Sequence, residues 1–175
     1  MKKILILSCF SVFYFATFAQ NVDSTIRQQQ LIGVWQIDNA RVGDALRENF
    51  QFFPDGKFIL NFSEYDDTQR VLALRGHYRF GNGLLFMTVQ SRDEIIGGYF
   101  TKGSPGFQRS AFVLEGGKVQ TITQIDSAGS KDPFVVTKCK VTKSGKIAGI
   151  QIDNNKYYKL SENPEAFHKV KPKHN

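Results

Sequence analysis

Few side chains in this sequence have the type and spacing to do chemistry. The histidines are His77, His168 and His174. Only His77 stands away from the C-terminus, and it is the one candidate general base. It lies between Gly76 and Tyr78, in a run where residues alternate in character. If Tyr78 points inward, strand alternation sends His77 outward beside Arg75 and Arg79. A bulge at Gly76 would reverse that and leave an enzyme built on His77 as the minor reading. Cys139 sits in Val135-Val136-Thr137-Lys138-Cys139-Lys140-Val141 and reads as a buried, inert thiol. The acidic pairs Asp66-Asp67 and Asp93-Glu94 could in principle hold Ca²⁺, but two adjacent carboxylates usually make a solvated turn. No His-Glu-x-x-His, glycine-rich phosphate loop, nucleophile elbow or Cys-x-x-Cys occurs. The expectation is therefore a protein that is not an enzyme, with no catalytic residue, metal or cofactor.

The elements that carry these residues read almost entirely as strands. One short helix is expected between Asp23 and Gln30. After it come strand regions at 31–42, 47–53, 57–63, 71–80 and 84–90. Further regions follow at 95–101, 107–115, 118–126, 134–143, 146–152 and 156–160. Turn chemistry separates them: Pro54-Asp55-Gly56, Gly81-Asn82-Gly83, Gly116-Gly117, Ser144-Gly145 and Asp153-Asn154-Asn155. This spacing predicts an all-β fold of roughly ten short strands, an antiparallel barrel or sandwich. The glycine-rich stretch 93–106 reads as a rim over a barrel mouth, with a weak edge strand as the plainer alternative.

Residues 1–19 have the zones of a cleavable signal peptide. Lys2 and Lys3 precede an apolar run from Ile4 to Phe18, and Thr17-Phe18-Ala19 places small residues before a cut at Ala19–Gln20. The run is shorter than a membrane-spanning helix requires, so no integral membrane segment is expected after cleavage. The expected address is the periplasm or the extracellular space. Cleavage removes Cys9, which leaves Cys139 alone and rules out an internal disulfide. The formal charge of +7 includes Lys2 and Lys3, and the remaining basic residues form no stripe interleaved with aromatics, so no nucleic-acid partner is expected. The domain is read as 20–162, followed by a flexible basic tail at 163–175 that holds Lys169, Lys171 and Lys173. Nothing in the sequence sets an oligomeric state.

Several short motifs recur in one order. Leu31-Ile32-Gly33-Val34-Trp35 resembles the Leu-x-Gly-x-Trp opening of lipocalin-like proteins. Phe52-Phe53-Pro54-Asp55-Gly56-Lys57-Phe58 resembles the second hairpin of small bacterial lipocalin-like domains. Arg75-Gly76-His77-Tyr78 and Lys156-Tyr157-Tyr158-Lys159-Leu160 resemble later strands of the same family. The resemblance spans residues 24–160. It implies a single antiparallel up-and-down β-barrel of about 8–10 strands, closed at one end by a short helix, with Gly33 and Trp35 on the first strand. It also implies a basic residue packed on the tryptophan, commonly arginine; here Lys159 or Lys156 could serve, and Lys159 is the candidate. The paired cysteines of many lipocalins are absent.

The sixteen phenylalanines favour a large apolar interior. Alternation assigns Phe58, Phe62, Tyr78, Phe86 and Phe112 to inward faces, as core or as the lining of a ligand site. The leading functional expectation is a secreted lipocalin-like domain that binds a small apolar ligand in the barrel. The alternative is a non-enzymatic protein- or glycan-interaction module with a packed core, acting through outward aromatics such as Tyr65, Tyr99 or Phe107.

Overall fold

The fold was analysed in a computed structural model, which describes residues 26–38, 47–63, 67–103, 111–123 and 132–166. Residues 1–19, expected to be a signal peptide, together with Tyr65, Asp66, Phe107 and the residues beyond Ala166, lie outside the described residues. One short helix, α1 (Gln28–Leu31), precedes nine strands: β1 (Gly33–Ile37), β2 (Asn49–Phe52), β3 (Lys57–Asn61), β4 (Val71–Gly81), β5 (Leu84–Lys102), β6 (Phe112–Thr123), β7 (Phe134–Val141), β8 (Ile147–Ile152) and β9 (Asn155–Ser161). A 3₁₀ turn, Pro164–Ala166, follows.

Every strand pairing is antiparallel, and eight strands close into a barrel-like ring in the order β1, β2, β3, β4, β5, β7, β8, β9 and back to β1. The seam between β5 and β7 is narrow: Leu84 opposes Val135 and Leu85 opposes Phe134. The all-β, barrel-like expectation holds. Closing the ring hides the backbone edges that an open sheet would expose.

Alternation explains the interior. Trp35, Phe50, Phe52, Phe58, Tyr78, Leu85, Val136, Ile150, Ile152 and Tyr157 are buried in one cluster, with Ile26 and Leu31 against it. Phe50 stacks on Phe52 with ring centroids 5.3 Å apart and planes 8° from parallel. Tyr157 meets Phe50 edge-on at 5.3 Å, and Tyr78 meets Phe52 at 4.9 Å. Such geometries add about 0.5–1.5 kcal/mol per pair beyond area burial. The reverse face of β1–β3 is buried too, and beside Val34 it is largely polar. Gln36 opposes Asn49, which opposes Asn61, and Asn61 Nδ2 donates to Asn49 Oδ1 at 2.9 Å.

The second half of the chain departs from the expected rhythm. Regions 84–90 and 95–101 are one continuous strand, β5, and Gly116-Gly117 lies inside β6 where a hairpin turn was expected. Across the ladder Gly97 opposes Gly117. Gly97, Gly98 and Gly116 all take positive φ, at 73°, 75° and 71°. A Cβ on Gly98 would come 2.6 Å from the Glu115 carbonyl oxygen. The four glycines thus bend a two-stranded ribbon without ending it. Among the described residues β6 pairs only with β5, on the same side of β5 as β7, and is not one of the eight strands of the ring.

Candidate functional site

The helix end of the ring is built around Trp35. Its indole Nε1 donates to the Leu31 carbonyl at 2.6 Å, tying β1 to α1. Arg27 N donates to Gln30 Oε1 at 2.8 Å and fixes the start of the helix. Lys159 opposes Trp35 across β1–β9, and its Nζ lies 5.0 Å from the Trp35 ring centroid. The same Nζ donates to the Gln30 carbonyl at 3.3 Å and pairs with Glu162 at 2.5 Å. Gly33 has φ of 126°, and a Cβ there would run into the Ser161 carbonyl. The backbones of β1 and β9 therefore approach at a point only glycine permits. Lys156 does not take the place beside Trp35; it sits opposite Gln151 on β8. An open cleft of about 320 Å³ lies at this end, lined by Gln29, Gln30, Lys146, Ile147, Lys159 and Glu162.

The aromatic residues assigned inward part company. Phe58 and Tyr78 are buried in the cluster. Tyr78 donates its hydroxyl to the Phe53 carbonyl at 3.1 Å, and burial, followed by the nearby Asp55 charge, pushes its phenol up to about 12. Phe62 is half-buried just past β3. Phe86 and Phe112 do not face the interior. Leu85 takes the inward position, so its neighbour Phe86 lies under the Arg79 guanidinium at 5.5 Å. Phe112 is 54% exposed on β6, outside the ring. Alternation inside a strand cannot tell that the strand lies off the barrel.

At the other end, Tyr157 donates to Glu48 Oε1 at 2.6 Å. Burial first, then the Glu48 hydrogen bond and charge, raise its phenol well above the ordinary range. Beside this pair an open polar cleft of about 350 Å³ is lined by Ile37, Asp38, Arg47, Glu48 and Ser63.

Among the groups with chemical potential, His77 is exposed on β4. The pairing of β4 with β5 does shift register between Arg75 and Gly76, yet Tyr78 stays inside. Cys139 is exposed, which corrects the buried thiol expected from its neighbours. Val135 and Val141 on the same strand are also exposed, each at 51%; the face that looked apolar is the outer one. Partial cover of the sulfur raises the thiol, against the opposing pull of Lys156 and Lys140. That reduces the thiolate available at neutral pH. Asp93 and Glu94 are each held by an arginine: Arg75 to Asp93 at 2.9 Å and Arg92 to Glu94 at 2.7 Å. Among the described residues no group of three or more His, Cys, Asp or Glu is placed to hold a metal.

No family model, curated protein or solved structure matches this chain. The site must therefore be judged on its own geometry. Among the described residues no helix is long and apolar enough to cross a membrane.

The ribbon beyond the ring holds the most unusual surface. Tyr99 is 62% exposed, Phe100 52% and Phe112 54%, with Ile96 and Val119 also exposed nearer the bend. Phe100 opposes Leu114 and Lys102 opposes Phe112. Opposed residues share a face of the ladder, so Phe100, Lys102, Phe112 and Leu114 form one face. Arg70 secures the base. Its Nη1 donates to the Gly97 carbonyl at 2.6 Å and its guanidinium lies 5.4 Å from the Phe100 ring. Leu114 N donates to the Asp67 carbonyl at 3.1 Å. Of the ribbon aromatics, the sequence singled out Tyr99 as an outward candidate. Phe100 was not noticed. The signal that could have found it is the pair of glycine doublets, Gly97-Gly98 and Gly116-Gly117, flanking a segment of aromatics.

Proposed function

We propose that this chain is an exported, non-enzymatic binding module whose ring is a packed scaffold and whose binding surface is the ribbon outside it. The observation that carries this reading is the exposure of Phe100 and Phe112 on one face of the β5–β6 ladder, with Tyr99 exposed on the other. Large aromatics exposed as a group mark interaction surfaces, whereas scattered ones need no explanation. The interior supports the same reading. The positions that would line a ligand site there, Phe58 and Tyr78, are packed among Phe52, Phe50 and Tyr157. The signal-like residues 1–19 support an address in the periplasm or outside the cell.

A lipocalin-type ancestry for the ring is part of the proposal. It is supported by the short helix before β1 and by Lys159 lying over Trp35 while bonded to the helix carbonyl. In this chain those features hold the helix end together and leave the ribbon free to bind.

The test is co-sedimentation with envelope material of the producing organism, comparing the native protein with a Phe100→Ser/Phe112→Ser variant. Loss of association in a variant that keeps its fold is the expected result. Equal association by both proteins would overturn the proposal. A native mass spectrum of gently purified protein carrying a stoichiometric apolar molecule would favour the interior-ligand reading instead.

A further inference from the structure

We infer that the protein has a second binding site, a cleft on the outer wall of the ring that takes an uncharged sugar ring. The site shares no residue with the ribbon face and stands whether or not the ribbon binds. Three stretches far apart in the sequence meet there. The Pro54-Asp55-Gly56 turn and the start of β3 bring Phe53, Asp55 and Lys57. Ile59 and Arg75 oppose each other across β3 and β4, and the closing 3₁₀ turn brings Glu165. The cleft holds about 340 Å³, a volume found among small-ligand sites. β4 and β5 shape one side of it with a bulge. Ser91 opposes Arg75 and Val89 opposes Gly76, which leaves Gln90 with no residue across from it, and Gln90 also lines the cleft. A Cβ on Gly76 would strike the Thr88 carbonyl, so this approach of β4 to β5 requires glycine. Bulges re-aim a side chain and are over-represented beside active sites.

The lining selects the ligand. Phe53 and Ile59 are half-buried and give a small apolar floor. Fixed acceptors and donors stand around it. Asp55 Oδ2 accepts from Lys57 Nζ at 2.6 Å and Oδ1 from Lys57 N at 3.1 Å. In that order these bonds hold its carboxyl below the ordinary carboxylate range. Arg75 Nη2 is held on Asp93 Oδ2 at 2.9 Å, and its fork has further N–H groups to donate. Glu165 N donates to Asn163 Oδ1 at 3.0 Å, which sets the 3₁₀ turn. The Glu165 carboxylate and the Gln90 amide bond to no other described residue. A pyranose matches this set. Its C–H face rests on the apolar floor, while neighbouring hydroxyls donate to a carboxylate and accept from a guanidinium or amide. The cations of the lining, Lys57 and Arg75, each hold a carboxylate already, and Glu165 adds another negative charge, so an anion finds no uncompensated cation. A purely apolar ligand would have to strip water from charged groups without replacing their bonds.

The test is amide NMR of the full mature protein titrated with glucose, galactose, mannose and N-acetylglucosamine, with glucuronate as the charged control. A ligand of this size in an open cleft saturates at on the order of millimolar concentration, so free sugar reads this site while envelope material reads the ribbon. The expected result is saturable shifts at Asp55, Gly56, Gly76 and Gln90 with at least one neutral sugar, weaker binding of glucuronate, and an unmoved ribbon. Gln90→Ala and Glu165→Ala, both at exposed positions, should each weaken that binding by on the order of fivefold or more. Near-ultraviolet dichroism of Trp35, inside the ring, verifies that each variant is folded. No saturable shift with any of the sugars overturns the site. Binding untouched by both variants overturns its location, and glucuronate binding as tightly as the neutral sugars overturns the uncharged ligand. Each of these failures leaves the ribbon reading intact, because Phe100 and Phe112 take no part in the cleft.

Discussion

The ring and the ribbon use the same strand chemistry to opposite ends. In the ring, alternate residues meet across a closed sheet, so Trp35, Phe52, Phe58 and Tyr78 lose almost all contact with water. In the ribbon, β5 and β6 pair with each other beyond the ring and only the 67–70 segment is seen against them, so Tyr99, Phe100 and Phe112 stay exposed among the described residues. β5 belongs to both. Its first half closes the ring against β4, and its second half leaves with β6. What decides the fate of an aromatic here is whether a second layer lies over it. Residue type and alternation are the same in both regions.

This contrast sets the order of expected effects. Phe52→Ala and Phe58→Ala, both fully enclosed, should each cost about 3–5 kcal/mol, read as a lower urea midpoint. Tyr99→Ala or Phe112→Ala should change stability by about 0.5 kcal/mol or less in the same experiment. If the ribbon variants cost as much as the ring variants, the two regions are not distinct.

Next in size is the alkaline limb of stability. The Tyr78 phenol is raised to about 12, above its ordinary value of 10.0. Its contribution is therefore fully present below pH 10 and is lost as pH rises from about 10 towards 12. The unfolded chain releases this proton first, and stability should fall by about 1.4 kcal/mol per pH unit across that window. Tyr157 is shifted in the same direction and steepens the fall. Denaturant titrations between pH 8 and 12, with Tyr78→Phe as control, measure it. A flat profile in the native protein would contradict the enclosure of both phenols.

Lys159→Ala should cost about 1–2 kcal/mol, since it removes the cation over Trp35 and the bond to the Gln30 carbonyl together. The loss should show as faster amide exchange in α1 and at the start of β1. Gly98→Ala acts within the bend alone. The positive φ and the close Glu115 carbonyl should cost about 1 kcal/mol locally. Exchange should quicken from Gly97 to Gly117 while the ring amides keep their protection. A uniform loss across ring and ribbon would mean that the two share one cooperative unit.

The ring was largely legible in the sequence. Phe58 and Tyr78 were placed inside by period-two alternation, and the hairpin at Pro54-Asp55-Gly56 by its turn residues, because a strand with one wet face writes both signals locally. The ribbon was not legible. Gly116-Gly117 has the composition of a tight turn, and only its position opposite Gly97-Gly98 makes it a bend. That pairing is a long-range fact with no local mark. The errors at Phe112 and Cys139 share that cause. An alternating segment tells which residues lie on one face, and says nothing about what, if anything, covers that face. The buried row of Gln36, Asn49 and Asn61 was missed for the converse reason: polar residues alternating with Trp35 and Phe50 look like a solvated outer face.

The division of labour between ring and ribbon is tested most directly by amide and methyl NMR of the native protein, before and after addition of the envelope extract it binds. The account predicts perturbations confined to residues from about Ile96 to Val119, with Phe52, Phe58 and Ile150 unmoved. Shifts centred on those interior residues, with the ribbon silent, would contradict it and return the binding site to the barrel.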